Sequence, residues 1–542
     1  MNLTRERTTE VLLVVGFCAF LFFYHLGAFG LLGADEPRYA QVAREMLSRH
    51  DWVTPVLNGV PWLEKPILYY WGAMFSYGAL GVSDWAARVP TAVLATVMIA
   101  VVYLFASRFR PAMRLDAALM TASGAMVFAM ARAASTDMPL TACFTVSLLA
   151  WFAFYVSDNR VYLLAFYVVN ATAMLAKGPV APVLAAVIIC AFAFAVRRPR
   201  LIVESLWIPG ILAFVAVAAP WYVLVQLRTP QFARVFFLQQ NLARFGTNLY
   251  HHKQPFWYYL PVALLATVPW VALVVSAVVS SIREWKARTG RADVGEDALP
   301  MFLLIWSAVP LIFFSVSTSK LPAYILPAIP PLLILAADWM HRRAKQDSRL
   351  PLWLAAAHAV VLAILAGVTV MSPTWLLKRP ASAQLLVTAS IAGAVVFMGA
   401  AVALSFRGWQ LVRFITLAPL ILCIGFVLRT QAPTIDRTQS ARPIAEMISE
   451  LGFPADQNVA LFGTKRELEY GLMFYRNRHI CVYSPLEPNQ PETVCIPSTT
   501  HLVLIREGTR DKLMAALPGR NIAFAGYYRP QHLELYAVGA QH

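Results

Sequence analysis

The sequence predicts a mainly α, polytopic membrane protein of about thirteen transmembrane helices, followed by a C-terminal α/β domain. Three observations carry this expectation. The 542-residue chain is 59% hydrophobic and only 14% charged, roughly half the charge of a soluble globular chain. Apolar runs recur along most of its length. The composition then changes after residue 428. Mean hydropathy is +0.60. So much apolar surface needs a lipid solvent, because globular packing leaves a large polar shell. The composition excludes an ordinary cytosolic enzyme, a disordered chain, a collagen and a small disulfide scaffold. The net charge of +16 suggests nucleic acid in a soluble protein. Here it points first to basic cytoplasmic loops and then to anionic lipids, with no nucleic-acid partner.

The candidate spans are 10–30, 85–106, 115–131, 138–156, 161–175, 178–196, 203–225, 256–281, 299–316, 322–340, 351–371, 384–405 and 411–428. The first runs straight into 27–35 without an A-x-A exit, unlike a cleaved signal peptide. With Arg5 and Arg7 in the cytoplasm, alternation puts Arg108, Arg110 and Arg114, then Arg197, Arg198 and Arg200, then Arg342, Arg343 and Lys345 in short inner loops. That is the positive-inside pattern. It predicts a cytoplasmic N-terminus in a bacterial inner membrane and a periplasmic tail.

The expected domains are a membrane domain over 1–428 and a periplasmic α/β domain over 429–542. The tail alternates strand-like runs (458–462, 479–483, 501–505, 522–527, 533–538) with helix-like ones (441–451, 465–475, 508–516). Cys481 and Cys495 lie in it, whereas Cys18, Cys143, Cys190 and Cys423 lie in spans. Only the tail pair meets an oxidising compartment, so one disulfide is expected there. Two free thiols are the alternative.

Two outer loops are long, 31–84 and 226–255, and long loops in compact proteins are usually functional. The first contains Asp35-Glu36-Pro37 and then an amphipathic stretch, read as a helix lying in the membrane interface. Asp35 is expected as its N-cap. A cap alone would explain the acidic pair. Acids are scarce on this face, however, and ionisable groups at membrane level default to function. Glu64-Lys65-Pro66 follows in the same loop. Asp137 starts the fourth span, Lys177 precedes the sixth, and Lys320 and Tyr324 flank the start of the tenth. The second long loop supplies Arg234, Asn241, Arg244, Tyr250, His251, His252 and Lys253 before an aromatic run. Singly, a span-end Lys or Tyr is an interfacial anchor, and a His pair is more often exposed than metal-binding. Together they bring carboxylates, cations and tyrosines to one water–lipid boundary. Such a set can grip a phosphorylated lipid and act on its head group. No Walker sequence, GxGxxG fingerprint, CxxC or HExxH is present. A sugar donor, if there is one, is therefore expected to be lipid-borne.

At DEPRYAQVAREML, LEKPILYYW, STDMPLT, AKGP, HHKQPFWYYLP and SKLPAYILP the chain resembles a known family. It is similar to the bacterial lipid A aminoarabinose transferases and the related protein O-mannosyltransferase-like enzymes of the GT-C fold. The motifs run from about 30 to 330, and it is the ordered set that is specific. The resemblance implies transfer of a sugar, 4-amino-4-deoxy-L-arabinose, from undecaprenyl phosphate to a lipid A phosphate on the periplasmic face. It implies Asp35 as the first-loop catalytic aspartate and Asp137 as a second one. Arg38, Lys65 and Tyr324 match positions that hold the lipid phosphate. Arg244, Lys253 and Lys320 are candidates for the same work. Family members can carry zinc, for which Glu64 with His251 or His252 is the available set. A monomer is expected. A protein Ser/Thr or another glycan is the alternative acceptor. A transporter is the alternative from another class, but it would want inverted repeats and polar residues near midplane.

Overall fold

The computed structural model describes residues 2–243, 254–287, 295–347, 349–376, 382–453, 458–483 and 497–540. Among these, eight helices are long and apolar enough to cross a membrane: Asp84–Phe109, Asp137–Ser157, Ile208–Arg228, Leu299–Val316, Pro322–Gln346, Leu352–Trp375, Ala383–Ser405 and Leu411–Thr430. The other five expected spans are helical but short, broken or more polar. The first is an α-helix over Asn2–Cys18 that ends in a π-helical turn over Ala19–Phe23, so it starts and stops earlier than expected. The third splits at Gly124 into Arg114–Ser123 and Ala125–Ala131. A β-carbon at Gly124 would lie 2.5 Å from Leu333, so close packing selects glycine there. The freed Ala125 amide bonds the Val268 carbonyl at 2.8 Å, as a broken membrane helix requires. Residues 161–175 and 178–196 form Arg160–Lys177 and Val180–Ala195. The eighth span divides into Tyr259–Ala266 and Val271–Ala287. Apolar side chains including Leu104, Phe194, Ile391 and Leu422 remain exposed on the perimeter, where lipid would cover them.

Ion pairs sort the helix ends into two faces. On one face Arg114 pairs with Glu10 at 2.5 Å, Arg413 with Asp116 at 2.5 Å, His341 with Asp116 at 2.7 Å, and Arg342 with Asp338 at 2.8 Å. This face gathers the N-terminal helix and the basic loops that the charge pattern assigned to one side. The long first loop and the tail lie on the other.

The first loop folds as the helix Asp35–Ser48 and a hairpin of β1 (Val56–Leu57) and β2 (Val60–Pro61). Asn58 and Gly59 between the strands both have positive φ, as a two-residue hairpin turn demands. The tail is a five-stranded sheet of β3 (Val459–Phe462), β4 (Cys481–Val482), β5 (His501–Arg506), β6 (Ile522–Tyr528) and β7 (Leu533–Val538), in the order β4-β3-β5-β7-β6. β3 pairs in parallel with β4 and β5, while β7 runs antiparallel to β5 and β6. The helices Arg442–Glu450, Arg466–Arg476 and Arg510–Ala516 complete the α/β unit. Cys481 is disulfide-bonded. Cys495 lies outside the described residues, and Cys18, Cys143, Cys190 and Cys423 are free.

Polar contacts seat the tail on the first loop. The Gly30 amide donates to Asp436 and the Leu31 amide to the Tyr475 hydroxyl, each at 2.7 Å. Tyr475 donates in turn to Asp84. Arg442 bridges Asp84 at 2.9 Å and Asp436 at 2.7 Å. A β-carbon at Gly30 would lie 2.1 Å from Ser440 Oγ and 2.5 Å from the Tyr475 hydroxyl. Gly30→Val should therefore loosen the tail by about 1–3 kcal/mol, the usual penalty of overpacking. Limited trypsin digestion is expected to cut the variant between membrane domain and tail well before the wild type. Identical digestion patterns would show that the seat does not depend on this contact.

Candidate active site

The helix Asp35–Ser48 starts with two acids that face opposite environments. Successive helical residues are about 100° apart around the axis, so neighbours can meet different surroundings. Asp35 is the first helical residue; Ala34 occupies the N-cap and makes no side-chain cap. The expectation that Asp35 caps the helix is thus corrected. Its carboxylate instead accepts a hydrogen bond from Arg38 and is 58% exposed. An acid in the first helical turn is favoured by the helix dipole.

Arg38 is 12% exposed and stands among three aromatic rings. Its guanidinium carbon lies 5.2 Å from the Tyr39 and Trp62 ring centres and 5.4 Å from that of Tyr470. Burial alone would lower its pKa. The fields of Tyr39, Glu64, Asp35 and Tyr470 reverse the sign and hold it well above the ordinary arginine value. Arg38 is therefore a fixed positive charge beside an open carboxylate. Tyr470 reaches it from the tail helix Arg466–Arg476. Tyr39, Tyr69 and Tyr70 pack together beneath, with ring centres 5.9–6.3 Å apart.

Glu36 is 8% exposed, and Arg88, in the first long span, is 1% exposed. Arg88 donates to both Glu36 oxygens, at 3.0 and 2.7 Å. The amides of Leu32 and Ala134 add bonds at 2.7 and 2.6 Å. The remaining Arg88 donors reach the carbonyls of Leu26, Phe29 and Gly30 at 2.8–3.0 Å. Sequence reasoning grouped Glu36 with Asp35 and passed over Arg88. An arginine inside an apolar run was the available signal, because such a residue must have a partner.

Asp137 begins the helix Asp137–Ser157, three residues beyond the Ala134 amide held by Glu36. Its carboxylate is mostly buried and pairs with Lys177, the last residue of Arg160–Lys177. The Lys177 ammonium lies 4.9 Å from the Tyr324 ring centre, and the Tyr324 ring packs tilted against Phe314, 5.5 Å between centres. Asp137, Lys177 and Tyr324 thus form one cluster, although nothing in the local motifs marks Lys177 as the partner of Asp137. Lys320 is buried and donates to the carbonyls of Ser317 at 2.5 Å and Gln254 at 3.2 Å. Those bonds brace the loop before Tyr324.

Glu64 and Lys65 follow β2 and are half-buried. Glu64 lies near enough to act electrostatically on Arg38, Tyr39 and Tyr70. Arg244, His251, His252 and Lys253 lie outside the described residues. Among the described residues, no three His, Cys, Asp or Glu side chains are placed to hold a metal ion.

The sequence pattern of the dolichyl-phosphate-mannose-protein mannosyltransferase family matches residues 64–223. An undecaprenyl phosphate-alpha-4-amino-4-deoxy-L-arabinose arabinosyl transferase from Yersinia enterocolitica is 30% identical over 494 residues, covering 81% of this chain and 83% of that protein. The enzyme of the same name from Aeromonas hydrophila is 27% identical over 495 residues, covering 84% and 86%. The fold is that of the crystal structure of ArnT from Cupriavidus metallidurans bound to undecaprenyl phosphate, with a TM-score of 0.79, 22% identity and 98% of each chain covered.

Glu36→Ala would leave Arg88 buried without its counter-charge. Breaking a buried pair in this way costs about 3–5 kcal/mol. The expected result is a large drop in the thermal unfolding midpoint of the purified protein. A midpoint within a degree or two of wild type would remove the pair from its structural role.

Proposed function

The chain belongs to the undecaprenyl phosphate-4-amino-4-deoxy-L-arabinose arabinosyl transferases, and from that membership we propose that it moves the amino sugar from undecaprenyl phosphate to a phosphate of lipid A. It is a glycosyltransferase of a multi-pass membrane fold. The relatives' names support the donor and the sugar. We place the face carrying Asp35 and the tail in the periplasm and the N-terminus in the cytoplasm, on the strength of the basic loops gathered on the opposite face. The acting unit in this reading is a monomer.

The observation that carries the reading is the open carboxylate of Asp35 beside the ring-enclosed cation of Arg38, at the start of a helix next to the spans. In the reaction, the bond between the sugar's anomeric carbon and the donor phosphate oxygen breaks. A new bond forms from that carbon to an acceptor phosphate oxygen, and undecaprenyl phosphate leaves. Asp35 orients the acceptor and offsets positive charge growing at the anomeric carbon. A phosphate acceptor is already anionic near neutral pH, so Asp35 positions more than it deprotonates. Lys65 and Tyr324, with Arg244 and Lys253, receive the negative charge that collects on the departing lipid phosphate. Arg38 keeps Asp35 in place and adds to the positive field. Asp137, paired with Lys177, is the second proposed catalytic aspartate. Glu64 with His251 or His252 is the proposed zinc set.

Mass spectrometry of lipid A from cells expressing the protein tests this directly. An added amino-pentose is expected with the wild-type chain and is expected to vanish with Asp35→Asn at equal expression. Near-normal modification by Asp35→Asn would sink the catalytic assignment. Addition of sugar to protein serines or threonines instead would redirect the acceptor. For Lys65→Ala, the affinity for undecaprenyl phosphate should fall by about ten- to a hundredfold, the worth of one charge-assisted hydrogen bond. An unchanged dissociation constant would leave Lys65 as an interfacial anchor.

A further inference from the structure

Between the helices Ala125–Ala131 and Asp137–Ser157 the chain makes a short non-helical turn that is tied to both halves of the candidate site. At one end, the Ala134 amide donates to the Glu36 carboxylate at 2.6 Å, one residue from Asp35. At the other, Asp137 pairs with Lys177, whose ammonium lies 4.9 Å from the Tyr324 ring centre. Consecutive Cα atoms are about 3.8 Å apart, so Ala134 and Asp137 are separated by at most about 11 Å. Ser135 and Thr136 fill that interval.

Ser135 is 5% exposed and Thr136 is 1% exposed. Among the described residues, neither hydroxyl has a hydrogen-bond partner. Other buried hydroxyls of the bundle are met by their own helix. Thr121 donates to the Ala117 carbonyl and Ser123 to that of Leu119, each at 2.6 Å, and Thr141 to that of Asp137 at 2.9 Å. Ser135 and Thr136 follow a helix break and make no such bond. Thr136 occupies the N-cap position of Asp137–Ser157, yet its side chain caps nothing. An N-cap hydroxyl accepts from the amide of the second or third helical residue. The third is Pro139, which has no N–H. Leaving a buried hydroxyl unmet is costly, and it calls for an absent partner.

The neighbours restrict what that partner can be. The Asp137 carboxylate would repel an anion, and the Lys177 ammonium is already committed to Asp137. A neutral ligand with groups that both donate and accept suits two hydroxyls in this setting.

We propose that Ser135 and Thr136 are specificity-determining residues that hydrogen-bond the ring hydroxyls of the transferred sugar. The inference rests on the glycosyl-transfer reading and adds a sugar subsite to it. In that reaction the donor phosphate is received by Lys65 and Tyr324, while the anomeric carbon faces Asp35. The ring between them lies over the turn that joins the two anchors. Hydroxyls met only by the sugar discriminate against a ring that lacks its own.

The test uses the full purified chain in micelles with undecaprenyl-phosphate-linked 4-amino-4-deoxy-L-arabinose and lipid A. Three quantities are measured: kcat/KM of transfer, the Kd of sugar-free undecaprenyl phosphate, and the thermal unfolding midpoint. Ser135→Ala and Thr136→Val are each expected to lower kcat/KM about five- to tenfold, the worth of one neutral hydrogen bond. The Kd of the sugar-free lipid and the midpoint should stay at their wild-type values. Thr136→Ser keeps the hydroxyl and should transfer at close to the wild-type rate. Thr145 gives a control, because its hydroxyl is also buried and without a partner among the described residues. It lies eight residues beyond Asp137 on the same helix, about 12 Å deeper, so Thr145→Val should not change transfer. If Thr136→Val does not fold, Ser135→Ala decides the matter. A kcat/KM within twofold of wild type in the folded variants would overturn the subsite. So would an equal loss in Thr145→Val, an equal loss of affinity for the sugar-free lipid, or a lowered midpoint, which would give the hydroxyls a structural role through bound water. No transfer by the wild-type chain would overturn the glycosyl-transfer reading together with the subsite, whereas the other outcomes strike the subsite alone.

Discussion

The pairing of Glu36 with Arg88 holds together everything else on this face. A carboxylate and a guanidinium removed from water stabilise a fold only when their remaining hydrogen-bonding capacity is also satisfied. Here it is met by backbone from several parts of the chain. Glu36 takes the amides of Leu32 and Ala134, and Arg88 gives its other protons to the carbonyls of Leu26, Phe29 and Gly30. One ion pair therefore locks the exit of the N-terminal helix, the entry to the helix Asp35–Ser48, the first long span and the approach to Asp137. Asp35, one residue away, is left exposed as a consequence. The same two-residue acidic motif supplies a buried brace and an open carboxylate.

The second constraint comes from the tail. On an isolated first loop Arg38 would keep only the Tyr39 and Trp62 rings beside it. The ring of Tyr470 closes over it from a helix more than 400 residues away in sequence. The small α/β unit is thus part of the wall of the site. Its attachment through Asp84, Asp436, Arg442 and Tyr475 fixes the environment of the cation beside Asp35.

Much of this architecture was legible in the residues. Apolar runs located the helices, the alternating tail located the strands, and basic loops sorted the two faces. Features that depend on what packs against what were hidden. The break falls at Gly124, where Leu333 approaches closely, a contact with no local sequence signature. The eight helices able to span and the remaining five runs look alike as hydrophobic stretches. The different fates of Asp35 and Glu36 depend on which side of one helix meets Arg88. Lys177 is opposite Asp137 only because two helix ends meet, and the bonds of Lys320 to the carbonyls of Ser317 and Gln254 depend on chain packing rather than on local sequence. Tyr470 was invisible because its partner is in another domain.

The central claim is that the open carboxylate and its neighbouring cations serve transfer of a lipid-borne sugar to a phosphate. Its most direct measurement is transfer by the purified chain in mixed micelles, from undecaprenyl-phosphate-linked 4-amino-4-deoxy-L-arabinose to lipid A, with products identified by mass. The account predicts a single amino-pentose adduct on phosphorylated lipid A and none on lipid A stripped of its phosphates. Adduct on the stripped lipid, or no adduct on either, would contradict it.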